Sequence, residues 1–351
     1  MSGQDDAGDR PDRSADPAKP GLTWRHVARA VGIAVGIVAL ACVATLLAIR
    51  GPFVFRVPAP PPETPVSAER LRQTVQYLSV DAGPRWYSNV KNLDNAARWI
   101  EDRFHECGLE VTTQEYPLRE GTYRNVIAQR KGTNPRAGVV IVGAHYDAYG
   151  GLPGADDNAS GVAVLLELAR TPPSAPSRRT QIFVAFVNEE PPLFGSGDMG
   201  SARYARKVLE DGTPVDLMIA LDLVGFFSDR PGSQHYPLKG LDLVYPSVGD
   251  FIAVVGDMGA GRWIEKVKRG MLSSRALPVV SFRAPSVTEV VLYSDHRSFR
   301  QLGLPGVMVT DMAFERSPHY HRRTDTLETL DFDKMADVVR AIRGVLWLEG
   351  Q

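Results

Sequence analysis

The chain has 351 residues, 40 Lys and Arg against 41 Asp and Glu, a formal net charge of −1, and 44% hydrophobic residues. That length suits one large domain or two small ones with an ample core, and the balanced charge gives no sign of the basic patch that nucleic-acid binding needs. The only two cysteines, Cys42 and Cys107, exclude a disulfide framework and a thiolate zinc site, so any metal must be held by His and carboxylate side chains.

Residues 1–26 read as a disordered tail, the first 23 being polar and rich in Asp, Pro, Gly and Ala. Ala30 to Ile49 then runs without a charge, long enough at about 1.5 Å per residue to cross a bilayer core. A cleaved signal peptide normally has a shorter apolar region and a small-residue cleavage site, so residues 27–50 are expected to be an uncleaved transmembrane helix. Arg10, Arg13, Lys19, Arg25 and Arg29 precede the run, while Arg50 and Arg56 follow it. This asymmetry places the tail in the cytoplasm and the rest of the chain outside. Residues 51–66, with Pro58-Ala59-Pro60-Pro61-Pro62, read as an extended linker.

Residues 67–351 read as one α/β domain. Ser67 to Ser79 has helical periodicity, and Leu93 to Cys107 is a second helix stopped by Gly108. Glu110 to Leu118 and Tyr123 to Arg130 are expected as an antiparallel edge. Four apolar segments follow, Val139–Val142, Ile182–Val187, Leu217–Leu223 and Gly306–Val309, with a helix from Gly161 to Arg170 and a closing helix from Phe332 to about Leu348. Continuous apolar strands separated by helices predict an α/β fold: a mixed, largely parallel sheet sandwiched between helices.

Ligands of such sheets gather at the carboxyl ends of the strands, and there the chemistry-bearing residues stand. His145 and Asp147 follow the first apolar strand; an imidazole two residues from a carboxylate can bind metal while the carboxylate orients its ring. Asp156, Asp157 and Asn158 lie in the turn Gly154 to Gly161 that enters a helix. Helix capping accounts for one of the three, and a carboxylate there could bridge two cations. Glu189 and Glu190 follow the second strand, where two acids would be costly if buried and unpaired. Adjacent residues on extended backbone diverge, which suits a division between a metal ligand and a general base. Asp222 ends the third strand. His321 lies in a segment whose Asp325-Thr326 could start or cap the final helix, and Asp295-His296 could line the pocket or position a substrate.

In this order, the motifs resemble the M28 family of zinc aminopeptidases and carboxypeptidases. The matching pieces are His145-Tyr146-Asp147, the turn 154–161, Asn188-Glu189-Glu190, Leu221-Asp222, Ser294-Asp295-His296, and Tyr320-His321 before Asp325-Thr326. The resemblance implies a zinc-exopeptidase, phosphorylase/hydrolase-like fold and two zinc ions. His145 and Asp222 would hold one, Glu190 and His321 the other, with Asp157 bridging them. Glu189 would be the general base and Asp147 would orient His145. Two divalent cations roughly 3.5–4 Å apart can hold and acidify a water, and the implied substrates are peptides. Arg322, where the family often has Thr, and Pro191-Pro192-Leu193-Phe194 after Glu190 depart from the common pattern. Glutaminyl cyclases share the fold with one zinc, and a non-catalytic membrane-tethered ectodomain is a third reading. Gly195 to Gly200 matches G-x-G-x-x-G, but seven residues separate it from the preceding strand, so nucleotide binding is not expected.

Overall fold

The computed structural model describes residues 23–172, 175–236 and 239–351; the tail expected over residues 1–22 lies outside them. Contacts divide the chain into two units, residues 1–45 and Leu46–Gln351. The first contains most of helix α1 (Trp24–Arg50), which is long and apolar enough to cross a membrane. It begins at Trp24, so the last three residues assigned to the tail are helical.

In the larger unit, α2 (Ala68–Gln76) starts where Ser67 Oγ accepts the amide of Arg70 at 3.2 Å, a side-chain N-cap. Next come α3 (Val90–Glu106), β1 (Glu110–Pro117), β2 (Thr122–Arg130), β3 (Val139–His145), α4 (Gly161–Arg170), β4 (Gln181–Phe186), α5 (Gly200–Glu210) and β5 (Val215–Leu221). The chain continues through β6 (Ile252–Asp257), α6 (Gly261–Ser273), β7 (Val279–Ala284), α7 (His296–Gln301), β8 (Val307–Thr310), the short α8 (Ala313–Arg316) and α9 (Phe332–Gly350).

The eight strands form one sheet in the order β1-β2-β4-β3-β5-β8-β6-β7. The central four are parallel, with His145 opposite Phe186 across β3 and β4. The β1–β2 pair is antiparallel and joins β4 in antiparallel register, as its position at the edge requires. The other edge, β6 and β7, was not anticipated: Ser281 and Arg283 interrupt the apolar pattern of β7, and β6 runs antiparallel to β8.

Alternation along the strands sends side chains to opposite faces. Val140, Val142 and Ala144 of β3 face a core shared with α2, α3, α4, α6 and α9. Val139 and Ile141 face a smaller core closed by Tyr204 and Val208 of α5 and Phe299 of α7. Both faces are thus covered, which is why the central strands are apolar throughout and why polar residues appear only where the strands end. Asp325 does not cap the closing helix. Asp331 does, its Oδ1 accepting the amide of Lys334 at 2.9 Å.

Candidate metal centre

The carboxyl ends of β3, β4 and β5 bring His145, Glu189-Glu190 and Asp222 to one place, and the turn before α4 adds Asp157. Backbone turns at these ends are unusual. Asn188, Leu223 and His321 all have positive φ, at 64°, 56° and 53°, a conformation that side chains other than glycine adopt rarely and chiefly where surrounding structure enforces it. Gly154, at φ 60°, starts the turn into α4; a Cβ there would lie 2.3 Å from the carbonyl oxygen of Asp157, so only glycine fits.

Two groups of three donors result, His145–Asp157–Asp222 and Asp157–Glu190–His321, each with its ligand atoms within 4.8 Å of one another. Asp157 belongs to both. Its Oδ1 lies 3.4 Å from His145 Nε2 and its Oδ2 3.0 Å from His321 Nε2. Asp222 Oδ1 is 3.4 Å from His145 Nε2, and Glu190 Oε2 is 3.5 Å from His321 Nε2. Glu189 stands beside both groups, with Oε2 at 3.9 Å from His145 Nε2.

The surrounding polar network fixes these donors. Asp147 accepts the amides of Glu189 and Glu190 at 3.1 and 3.0 Å. Its carboxylate is 3.5 Å from His145 Nδ1, which lies 3.3 Å from the Asp147 carbonyl. Asp147 therefore ties the β4 acids to the β3 histidine. Asp325 accepts the amides of Asp156 and Asp157 at 2.8 and 3.2 Å. Asn158 accepts the amide of Gly161 at the start of α4 and donates to the carbonyl of Leu221 beside Asp222. Beneath them Arg85 is fully buried, donating to the carbonyls of Tyr146, Pro153, Gly154 and Leu78. Burial lowers its pKa to about 10, so it remains a cation at neutral pH. Neither Arg85 nor the clamp by Asp325 was legible beforehand, because their partners are main-chain groups.

The electrostatics call for cations. Burial pushes Glu189 well above the usual carboxylate range; His145 opposes this, while Asp222 and Glu190 reinforce it. Burial, with the charge of Asp157, pushes Glu190 up to about 8. Burial would lower His321, but Asp157 and Glu190 outweigh it and hold the imidazole at about 10. Burial would likewise raise Asp157, yet the two histidines pull it well below its ordinary value. Uncompensated carboxylates in such a site are expensive. Moreover, His145 Nε2, Asp222 Oδ1 and Glu190 Oε1 are buried without a hydrogen-bond partner. Unpartnered imidazole nitrogen and carboxylate oxygens in two adjoining donor groups suit zinc.

At the solvent side, His321 is stacked between two tyrosines: Tyr149 at 4.3 Å and Tyr320 at 4.0 Å between ring centroids. The two residues expected to meet substrate differ in placement. Asp295 is buried and raised to about 7 by burial, against the pull of His145, with Asp222 and Asp147 adding to the rise; it is a neighbour of the donors rather than a wall of an open pocket. The expectation that His296 lines the pocket is not met: its ring has no exposed surface, and Nε2 lies 2.8 Å from the carbonyl oxygen of Val291.

A parallel-centred sheet between helices carries buried His and carboxylate donors at its strand ends, an arrangement suited to a metal-dependent hydrolase. The model of Peptidase family M28 matches residues 125–346, and the chain belongs to that family; it is a zinc metallopeptidase. The protein YfbL of Escherichia coli strain K12 is 40% identical over 82% of this chain and 90% of its own. A probable leucine aminopeptidase of Trichophyton verrucosum is 29% identical over 80% of this chain and 73% of its own. Among solved structures, the zinc aminopeptidase BSAP of Bacillus subtilis aligns with a TM-score of 0.66 at 17% identity, covering 82% of this chain and 96% of that one.

Proposed function

We propose that the chain is a di-zinc exopeptidase that releases amino acids from the N-termini of peptides. The observation that carries this reading is that Asp157 is shared by two three-donor groups. In this reading His145 and Asp222 hold one zinc, Glu190 and His321 hold the other, and Asp157 offers one oxygen to each. Zinc, when bound, supplies Lewis acidity, polarising a carbonyl and acidifying a water.

The chain's own residues do the rest. Glu189, which belongs to neither group, takes a proton at a carboxylate oxygen and returns it to the departing amine. Its raised pKa is the direction such a base needs to work near neutral pH. Asp147 holds the Glu189-Glu190 backbone and the His145 ring in register. Tyr320, kept protonated by burial and by the carboxylates of Asp157, Glu190, Asp222 and Glu189, is a hydroxyl donor beside the reacting centre.

Metal analysis of the purified chain together with a panel of aminoacyl substrates tests this. Two zinc ions per chain with cleavage at peptide N-termini support it. One zinc with ammonia release from a peptide bearing N-terminal Gln would instead identify a cyclase. The relationship to named aminopeptidases favours hydrolysis.

For the remaining architecture, we read residues 27–50 as an uncleaved membrane span, with 1–26 in the cytoplasm, 51–66 as the linker and 67–351 as an extracytoplasmic peptidase domain. The length and apolarity of α1 and the excess of basic residues before it support this. Protease digestion of intact and lysed cells tests it: the domain should be cleaved in both, the tail only after lysis.

A further inference from the structure

Outside α1, the most exposed large apolar side chains among the described residues are Phe55, Val287 and Leu243, at 93%, 85% and 80% exposure. Such side chains scattered singly need no explanation, but the chain on either side of these three leads to one apolar cluster. Leu243 lies in the helical turn Leu241–Leu243 and Val287 in the turn Ser286–Thr288. Leu241, Tyr245, Val291 and Leu292, next to those turns, are buried in one apolar cluster, and Leu46 and Ile49 pack against it. Leu46 to Arg50 is the last turn of α1, where the uncharged run ends.

The chain is pinned at this place rather than loosely tethered. Arg283 Nε donates to the carbonyl of Ala48 at 2.5 Å, Ser281 Oγ to that of Arg50 at 2.7 Å, and Lys268 Nζ to that of Pro52 at 3.1 Å. Phe55 follows Pro52 by three residues. Farther along, Arg343 holds the carbonyl of Thr64 at 3.0 Å. The segment 51–66 carries no helix or strand, yet both of its ends are fastened to the domain.

If α1 spans a bilayer, the lipid–water boundary falls at the end of its apolar run. A face that packs against that last turn then cannot stand clear of the headgroups, since the interfacial layer extends about 5–10 Å from the acyl boundary. The cations Arg283 and Lys268 are spent on the main-chain carbonyls of Ala48 and Pro52, and the other charges along these segments are mixed: Arg50, Arg56 and Lys239 against Asp242 and Glu289. Apolar insertion, rather than attraction to anionic lipid, is therefore the interaction this face is built for. We propose that the face formed by Leu243, Val287 and Phe55 around the docked turn Leu46–Arg50 inserts into the interfacial layer of the membrane. This rests on the reading of α1 as an uncleaved span. The same loop that presents Val287 reaches Asp295, among the site carboxylates, eight residues later. Lipid contact and the catalytic centre would thus share one loop.

The full-length chain in phosphatidylcholine nanodiscs tests the proposal. With Cys42 and Cys107 replaced by Ala, single cysteines at Leu243→Cys, Val287→Cys and Phe55→Cys carry an environment-sensitive fluorophore. Leu209→Cys on α5 serves as the aqueous control and Ile37→Cys as the reporter of the span. Unchanged turnover of a soluble aminoacyl substrate verifies folding. Doxyl-labelled lipid should lower emission about twofold at 243, 287, 55 and 37, and leave 209 unchanged. Quenching at 37 alone overturns the proposal while leaving the span intact. No quenching at 37 overturns the span reading and this proposal with it. Quenching at 243 and 287 in doxyl-free discs that grows with the number of chains per disc assigns the face to a second copy and also overturns it.

Discussion

The two donor groups of the metal centre share Asp157 but are held differently. His145 and Asp222 are buried at the ends of neighbouring parallel strands, so their positions follow from the sheet. His321 comes from a loop after β8, its side chain 27% exposed, and is kept in place by two stacked tyrosines and a positive φ. One half of the site is wholly part of the core; the other takes the buried Asp157 and Glu190 from it and adds one loop residue, His321. The lesson is one of order. The inner half is as stable as the fold, whereas the outer half depends on local contacts for His321 and should load and exchange separately.

The largest expected effect lies between the halves. Glu189→Gln should lower kcat by about a thousandfold, within the range for loss of a general base, while metal analysis finds zinc content unchanged. If both halves kept zinc and turnover stayed at the wild-type level, the proton transfer would have to be assigned elsewhere. The next effect concerns the floor under the inner half. Arg85→Met leaves buried carbonyls of Tyr146 and Gly154 without a donor, and should destabilise the chain by about 3 kcal/mol in urea unfolding. A substitution in the outer half, such as Tyr149→Ala, should leave the urea midpoint nearly unchanged.

Acidity acts on both halves. In the metal-free chain His321 is raised to about 10, against 6.5 for an ordinary histidine. The stability it contributes there is present below pH 6.5 and fades as pH rises through 10. Zinc must displace that proton, so the sign for binding is opposite: affinity of the outer half should rise by about tenfold per pH unit from His321 alone, with Glu190, raised to about 8, adding to the rise below that pH. Burial would lower His145, but Glu189 and Asp222 outweigh it and raise its imidazole too, so the inner half has a dependence of the same sign. A zinc titration at pH 6.5 and pH 8.5 should show a difference of at least about a hundredfold at the outer half; an affinity there that did not rise with pH would contradict a protonated His321 in the metal-free chain. The smallest effect is that of Tyr149→Ala on zinc itself. Loss of one stacked ring should cost about 1 kcal/mol of ordering, read as roughly fivefold faster loss of one zinc to a chelator, with the other retained.

Much of this was legible beforehand, for a physical reason. Parallel strands buried on both faces must be apolar throughout, so the polar residues at their ends stand out, and His145, Glu189, Glu190 and Asp222 were visible as interruptions of apolar runs. Asp157 was visible because two acids preceding a helix exceed what capping needs. Residues that serve through main-chain partners left no such mark. Arg85 binds carbonyls, and Asp325, readable only as a cap for the last helix, turns out to clamp the Asp156 and Asp157 amides. His296 was misplaced because sequence neighbours of a site residue need not face the site: Asp295 lies among the carboxylates while the next ring turns to Val291.

The chain's sequence by itself determined the fold class and the membrane-length helix, because each is written in local pattern: apolar runs, their lengths and what ends them; the candidate donors stood at the ends of those runs, and their roles came from the order of the motifs. Only the tertiary structure decided that His321 is stacked between tyrosines, that Asp147 joins β3 to β4, and that the segment after α1 is pinned to the domain. These depend on residues far apart in the chain, and packing of the sheet and its loops alone sets their distances.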